Sequence, residues 1–467
     1  VASLPRPKIP SSQRGGPQSP ASPSRRIAYS VLRNWSEGKG YVDDLLEREW
    51  KRGTYKQEDQ RLSWTLAYGV FRRLRLLDFW IDRLANKGIE SLPDGVVDIL
   101  RMGLFQLAFL ERIPVHAAVN ESVLLCEVFG LGGLKGLVNA LLRKFQTRRP
   151  MLDDALAKHP GRLAIETSHP DWLVAWAEER WGTTKAAAWL EDNNLQPRIY
   201  LRPISRRLLP GGMAGSEAQA AAELAARLGV GALASGGQAV VLPNGLLPSD
   251  LEAFREGLAN VQDLAAQAAV RLLAPRSGER IFDLCCAPGG KTVQLADLVG
   301  DEGGIVAVDV NRKRLKAVIE NLKRCGFANV QTVCRDLQEA WPEEFEGADG
   351  VLLDAPCSGL GTLRRRVDLR YRIRREDFSE LAGKAGLLLE NAARLLKPGG
   401  RLVYSTCTLT REENEESVRA FLARHQGNWD LIEERLFPAW LGETGDIVPD
   451  DRPNCDASYS ALLVKRP

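Results

Sequence analysis

At 467 residues the chain is too long for one ordinary core, so two or three domains are expected, and 44% hydrophobic with 26% charged residues is a soluble globular composition. The 63 Lys and Arg against 60 Asp and Glu leave a formal charge of +3, which argues neither for nor against nucleic acid, so local charge has to be read instead. No apolar leader and no run of about 18 apolar residues occurs, which argues against export and membrane spanning and leaves a cytoplasmic protein as the expectation.

Residues 1–24 are rich in Pro, Ser and Gly with no acidic residue, too poor in apolar surface to offset chain entropy, and read as a disordered tail. From 25 to 149 apolar residues recur three and four apart, as in RLSWTLAYGVFRRLRLLDFWIDRLA (61–85) and VVDILRMGLFQLAFL (96–110), predicting an all-helical domain. Its Arg72, Arg73, Arg75, Arg143, Lys144, Arg148 and Arg149 form either a solvated face or an RNA-facing one. Residues 150–260 mix helical stretches with the strand-like RIYLRPI (198–204) and read as a small α+β connecting region. There Trp172, Trp176, Trp181 and Trp189 sit near helical spacing, a core-packing pattern. From 261 to 467, strand candidates RIFDLC (280–285), GIVAVDV (304–310), NVQTVCR (329–335), GVLLDA (350–355), RLVYST (401–406) and SALLVK (460–465) are mostly separated by helical patterns. That alternation predicts a doubly wound, mostly parallel sheet, in which ligands bind at the carboxyl ends of the strands.

The chemistry-bearing residues collect at those ends. DLCCAPGGKT (283–292) follows the first strand, and its Pro288, Gly289 and Gly290 let the backbone turn tightly before a helix; it matches neither the dinucleotide fingerprint nor the phosphate loop. Asp309 closes the second strand, where an acid accepts from ribose hydroxyls, and Asp336 closes the third, so a nucleoside-bearing cofactor is implied. The fourth strand delivers Asp354 and Cys357 and the fifth Cys407; each cysteine alone reads either as a small buried hydrophobe or as a reactive thiolate. Together they suit methylation of ring carbon 5 of a pyrimidine, where a thiolate adds to carbon 6 and a nearby acid stabilises the developing charge. With four histidines and no CxxC spacing, no metal is expected, and the eight cysteines read as reduced thiols.

DLCCAPGGKT, VDVNRKRL, LLDAPCSGLGTLRRR and KPGGRLVYSTCTLTREENE closely resemble the signatures of the Sun-type family of RNA (cytosine-5) methyltransferases, whose Rossmann-like domain uses S-adenosyl-L-methionine. The resemblance implies Cys407 as nucleophile, Cys357 in product release, and Cys285, Cys286, Ala287, Pro288, Gly289, Gly290, Lys291, Asp309, Asp336 and Asp354 around the cofactor, with Lys291 and Asp354 also near the target base. PVHAAVNESV (114–123) and GLVNALLRKF (136–145) are similar to a NusB-type helical RNA-binding domain. That combination implies 16S ribosomal RNA or an immature small subunit as partner and cytosine 967 as target; a monomer is assumed. The same chemistry on tRNA or another rRNA site, and an inactive RNA-binding assembly factor, are the alternatives. Cys286, Val367 and Ala457 depart from the family's usual Ala, Pro and Gly. In the run LRRRVDLRYRIRR (363–375), Arg364, Arg365, Arg366 and Arg370 are expected to contact RNA phosphates.

Overall fold

The computed structural model describes residues 21–209, 216–229, 232–233, 236–339, 341–442 and 452–467. The chain divides into two units, residues 1–169 and 170–467. Most of the expected tail lies outside the described residues, but Pro23 and Ser24 already belong to the first helix, Pro23–Ser36. Proline is tolerated at a helix start because the N–H it lacks has no intrahelical partner there. Arg25, next in line, is buried and donates from Nε to Gln106 Oε1 at 2.8 Å.

The first unit is all-helical, and its apolar faces meet in a core that includes Val31, Leu66, Val70, Leu77, Trp80, Ile99, Met102 and Leu142. The stretch 61–85 divides at Arg73 into helices Gln57–Arg72 and Leu74–Leu84. Arg73 donates from Nη1 to the Glu166 carbonyl (3.1 Å), so this arginine ties the helical unit to its own last turn. Arg72 is buried over the Trp64 and Tyr68 rings, Arg75 bonds the His169 carbonyl, and Lys144 donates to the Leu84 carbonyl. Much of that basic set therefore holds the helices together. The helix Lys135–Ala157 runs through residue 149, where the sequence suggested a boundary.

In the second unit, helix Asp171–Asp192 bends at Gly182 (φ 75°), which folds Trp176, Trp181 and Trp189 onto one another with ring centroids 5.5–5.8 Å apart, as core packing. A four-stranded antiparallel sheet follows, of β1 (Tyr200–Pro203), β2 (Ala232–Leu233), β3 (Val240–Val241) and β4 (Ala259–Val261) in the order β2-β3-β1-β4. Arg202 of β1 is wholly buried and pairs with Asp297 Oδ2 (2.6 Å) and Glu217 Oε1 (3.2 Å), while Asp297 also accepts from the Ser205 and Arg206 N–H groups.

The main sheet has seven strands: β5 (Arg280–Leu284), β6 (Gly304–Asp309), β7 (Val330–Cys334), β8 (Ala348–Asp354), β9 (Leu396–Thr406), β10 (Trp429–Phe437) and β11 (Ser458–Lys465). Their order is β10-β11-β9-β8-β5-β6-β7, parallel from β7 to β9 and antiparallel at β11 and β10. Central strands read as continuous apolar runs because helices cover both faces: Ile281, Ile305, Leu352 and Val403 are almost fully buried, each contributing about 1.5–3 kcal/mol. The chain runs outward from β5 through β6 to β7, then returns to β8 on the other side of β5. The crevice at this reversal is where an open α/β sheet binds its ligand. Among the described residues no helix is long and apolar enough to cross a membrane.

Candidate active site

The loop after β5 is built for close approach. Cys285 holds a left-handed φ of 60° and Gly289 one of 100°, and helix Gly290–Val299 starts directly behind them. A Cβ on Gly289 would lie 3.0 Å from the Val318 Cα, so the turn packs against the next helix. Cys286 and Ala287 are buried, Pro288 is exposed, and Arg314 Nη2 donates to the Ala287 carbonyl at 2.6 Å. Asp283, within β5, accepts from Thr292 Oγ1 (2.6 Å) and fixes the first helical turn; burial pushes its carboxyl up to about 7 against that hydrogen bond and Lys291. Burial likewise pushes the Cys285 and Cys286 thiols well up, which keeps them protonated.

Asp309 closes β6, almost buried, and its carboxylate accepts from the Ala287 N–H (3.2 Å) and the Asn311 N–H (2.8 Å). Asp336 lies two residues beyond β7 and accepts from the Gln338 N–H at 2.9 Å. Asp354, the last residue of β8, pairs with Lys291 Nζ at 2.5 Å. Burial opposes the Lys291 charge, but Asp354 more than offsets it and raises the ammonium above its ordinary value.

Cys357 follows β8 by three residues and Cys407 follows β9 by one. The β8–β9 register sets Asp354 opposite Ser405, and the two Sγ atoms lie 3.3 Å apart. The hydrogen bond between them separates their acidities: Cys357 is held well above the ordinary thiol value and Cys407 below it. Burial and Asp354 oppose the shift at Cys407, and Arg366 and Lys291 assist it. The separation makes Cys407 the more acidic of the two thiols. Gly361 closes the site from above, donating its N–H to the Cys407 carbonyl (2.9 Å) so closely that a Cβ there would fall 1.9 Å from the Ala457 oxygen.

The structure thus gathers Lys291, Asp354, Cys357 and Cys407 at one point, with the 285–290 loop and Asp309 beside it on β5 and β6. The arginine run needs correction. Arg370 is fully buried and bonds Asn194 Oδ1 (2.9 Å) and the Asn193 carbonyl (3.1 Å). Arg364 is buried on Asn454 Oδ1 (2.7 Å), and Arg365 is clamped between Asp263 (2.7 Å) and Asp456 (2.9 Å). Arg364 and Arg370 are buried away from phosphates and Arg365, half-exposed, is already paired with two acids; of the four, Arg366 is exposed. Arg366→Gln is expected to weaken RNA binding and flatten its salt dependence by about one unit of log–log slope. Arg370→Gln is expected to lower the melting temperature with that slope unchanged; filter binding at several salt concentrations with a thermal melt separates the two.

Sequence reasoning passed over the residues beneath the thiols: Ser358, Thr408, Thr410, Glu413 and Asn414 are all buried and hydrogen-bonded together. The signal lay in an acidic side chain six residues beyond Cys407, inside a motif otherwise read for its cysteine.

Residues 270–463 match the family described as 16S rRNA methyltransferase RsmB/F, and residues 22–147 match the NusB family. A probable ribosomal RNA small subunit methyltransferase B of Synechocystis sp. is 35% identical over 86% of this chain and 90% of its own length. The ribosomal RNA small subunit methyltransferase B of Klebsiella pneumoniae strain 342 is 36% identical over 88% and 91%. The chain belongs to the ribosomal RNA small subunit methyltransferase B family. Like other members of this RsmB family it is an RNA methyltransferase with a NusB domain at its N-terminal side. In fold alone, the chain is similar to the solved structure of a methyltransferase homologue from Pyrococcus horikoshii, 24% identical, which aligns over 66% of this chain and 99% of its own with a TM-score of 0.54.

Proposed function

We propose that the protein methylates ring carbon 5 of a cytosine in 16S ribosomal RNA, cytosine 967, from S-adenosyl-L-methionine and through a cysteine–cytosine adduct, in the cytoplasm. The observation that carries this reading is the pair of thiols 3.3 Å apart, one the more acidic, beside the Lys291–Asp354 ion pair.

The donor set fits the cofactor. Asp309 offers carboxylate oxygens for ribose hydroxyls, Asp336 lies at the next strand end, and the 285–290 backbone with the helix beginning at Gly290 can receive a carboxylate. When bound, S-adenosyl-L-methionine supplies an electrophilic methyl group. The protein's own part is nucleophilic. Cys407 Sγ adds to ring carbon 6, giving carbon 5 enamine character, and Asp354 hydrogen-bonds the base edge as charge develops there. Once carbon 5 is methylated, a base takes its proton and the carbon 6–sulfur bond breaks, with Cys357 assisting the release of Cys407. A cytosine in structured RNA has to leave its stack to reach this point.

The test is incubation with labelled cofactor and either unmodified 16S rRNA or immature small subunits, followed by mapping of 5-methylcytosine. One modified cytosine in one of these substrates is the expected result. No methylation of either sinks the 16S assignment and turns the search to tRNA.

A further inference from the structure

Burying a carboxylate is costly unless donors surround it, so the donors around Glu413 are fixed in place by the charge they satisfy. Glu413 is fully buried, six residues beyond Cys407. Its Oε2 accepts from the Ser358 N–H (2.8 Å), and its Oε1 accepts from Ser358 Oγ (2.5 Å) and Thr410 Oγ1 (2.8 Å). Ser358 Oγ also lies 2.6 Å from Thr408 Oγ1, and the Glu413 carbonyl accepts from the Tyr404 hydroxyl on β9. Ser358 directly follows Cys357 and Thr408 directly follows Cys407. Glu413 therefore holds the neighbour of Cys357 directly and the Cys407 loop through Thr410 and through the Ser358–Thr408 contact, although the two loops are 50 residues apart in sequence.

We propose that Glu413 is a positioning residue of the two-thiol centre, bracing the Cys357 loop against the Cys407 loop so that the sulfur atoms keep their separation and their division of roles. The brace works through Ser358 and Thr410 and touches neither substrate nor cofactor. Its kinetic consequence rests on the adduct reading above; its effect on the thiols themselves does not.

Glu413→Gln puts an amide NH2 where a carboxylate oxygen accepts, setting donor against donor. With rRNA as substrate, kcat is expected to fall on the order of 10- to 100-fold, the scale of a reacting group displaced by ~1 Å, while KM for cofactor and RNA stays within about twofold. Thr410→Val is expected to show a smaller fall and Thr410→Ser to restore the wild-type rate, because only the latter keeps the hydroxyl. Independently of RNA, the ratio of iodoacetamide alkylation at Cys407 to that at Cys357, read by mass spectrometry, is expected to drop at least about threefold in Glu413→Gln, as the sulfur pair loses its fixed geometry. If Glu413→Gln does not fold, Ser358→Ala and Thr410→Val carry both measurements. A wild-type alkylation ratio and wild-type kcat in the folded variants overturn the proposal. If Cys407→Ala still transfers methyl groups, the adduct reading falls instead, and the alkylation ratio alone decides on Glu413.

Discussion

Cys407→Ala is expected to lower methyl transfer on the order of 10³-fold or more and to leave no denaturant-resistant protein–RNA complex, because without the adduct carbon 5 has no enamine character. Cys357→Ala is expected to do the opposite to that complex, accumulating it as turnover stops. The asymmetry expected follows the direction in which the two acidities part: Cys407 is held below the ordinary thiol value, with Arg366 and Lys291 assisting, and Cys357 above it. Gel electrophoresis of each variant after incubation with cofactor and labelled rRNA reads both outcomes. Methylation by Cys407→Ala, or trapping by Cys407→Ala and not by Cys357→Ala, sinks the assignment of roles.

The largest stability effect is expected at Arg202. Replaced by leucine, it leaves the buried Asp297 without a cation, while Glu217 keeps Arg271 (2.7 Å), and breaking such a group costs about 3–5 kcal/mol. Asp297 keeps the Ser205 and Arg206 N–H groups, which solvate its charge only in part. In calorimetry the transition of the 170–467 unit is expected to fall by about 10 °C with that of residues 1–169 unmoved. A shift of less than about 1 kcal/mol, the worth of an exposed pair, overturns this reading of the network.

The sheet was legible because burial on both faces forces its central strands to be apolar runs ending in turn residues, as in β5, β6, β8 and β9, while the edge strand β7 (VQTVC), with no buried residue, is read from its alternation with helices. β10 lacks the apolar run. Trp429–Phe437 reads WDLIEERLF, with five successive residues from Leu431 to Arg435 exposed, so nothing in its composition distinguishes an outer strand from a charged loop. The arginine run misled for a related reason. Charge next to a cleft reads as a surface for phosphates, but Arg370 is buried and hydrogen-bonded to polar groups at 193 and 194, and Arg365 is paired with acids at 263 and 456, partners that no local window contains. Glu413 escaped in the same way, since its donor Ser358 lies 55 residues upstream. What sequence patterns disclose are residues whose spacing matters; what they conceal are polar groups buried by distant partners.

The place of β11 bears on how the chain is made. This strand lies between β9 and β10 and follows both in sequence. As synthesis proceeds from the amino end, β9 presents an open edge and β10 has no neighbour to pair with until residues 458–465 have left the ribosome. A nascent chain halted before that point carries two unsatisfied strands, an invitation to aggregation and to proteolysis. The same late strand follows directly on Ala457, whose N–H bonds the Gly361 carbonyl above Cys407, so the thiol pocket closes only as the sheet does.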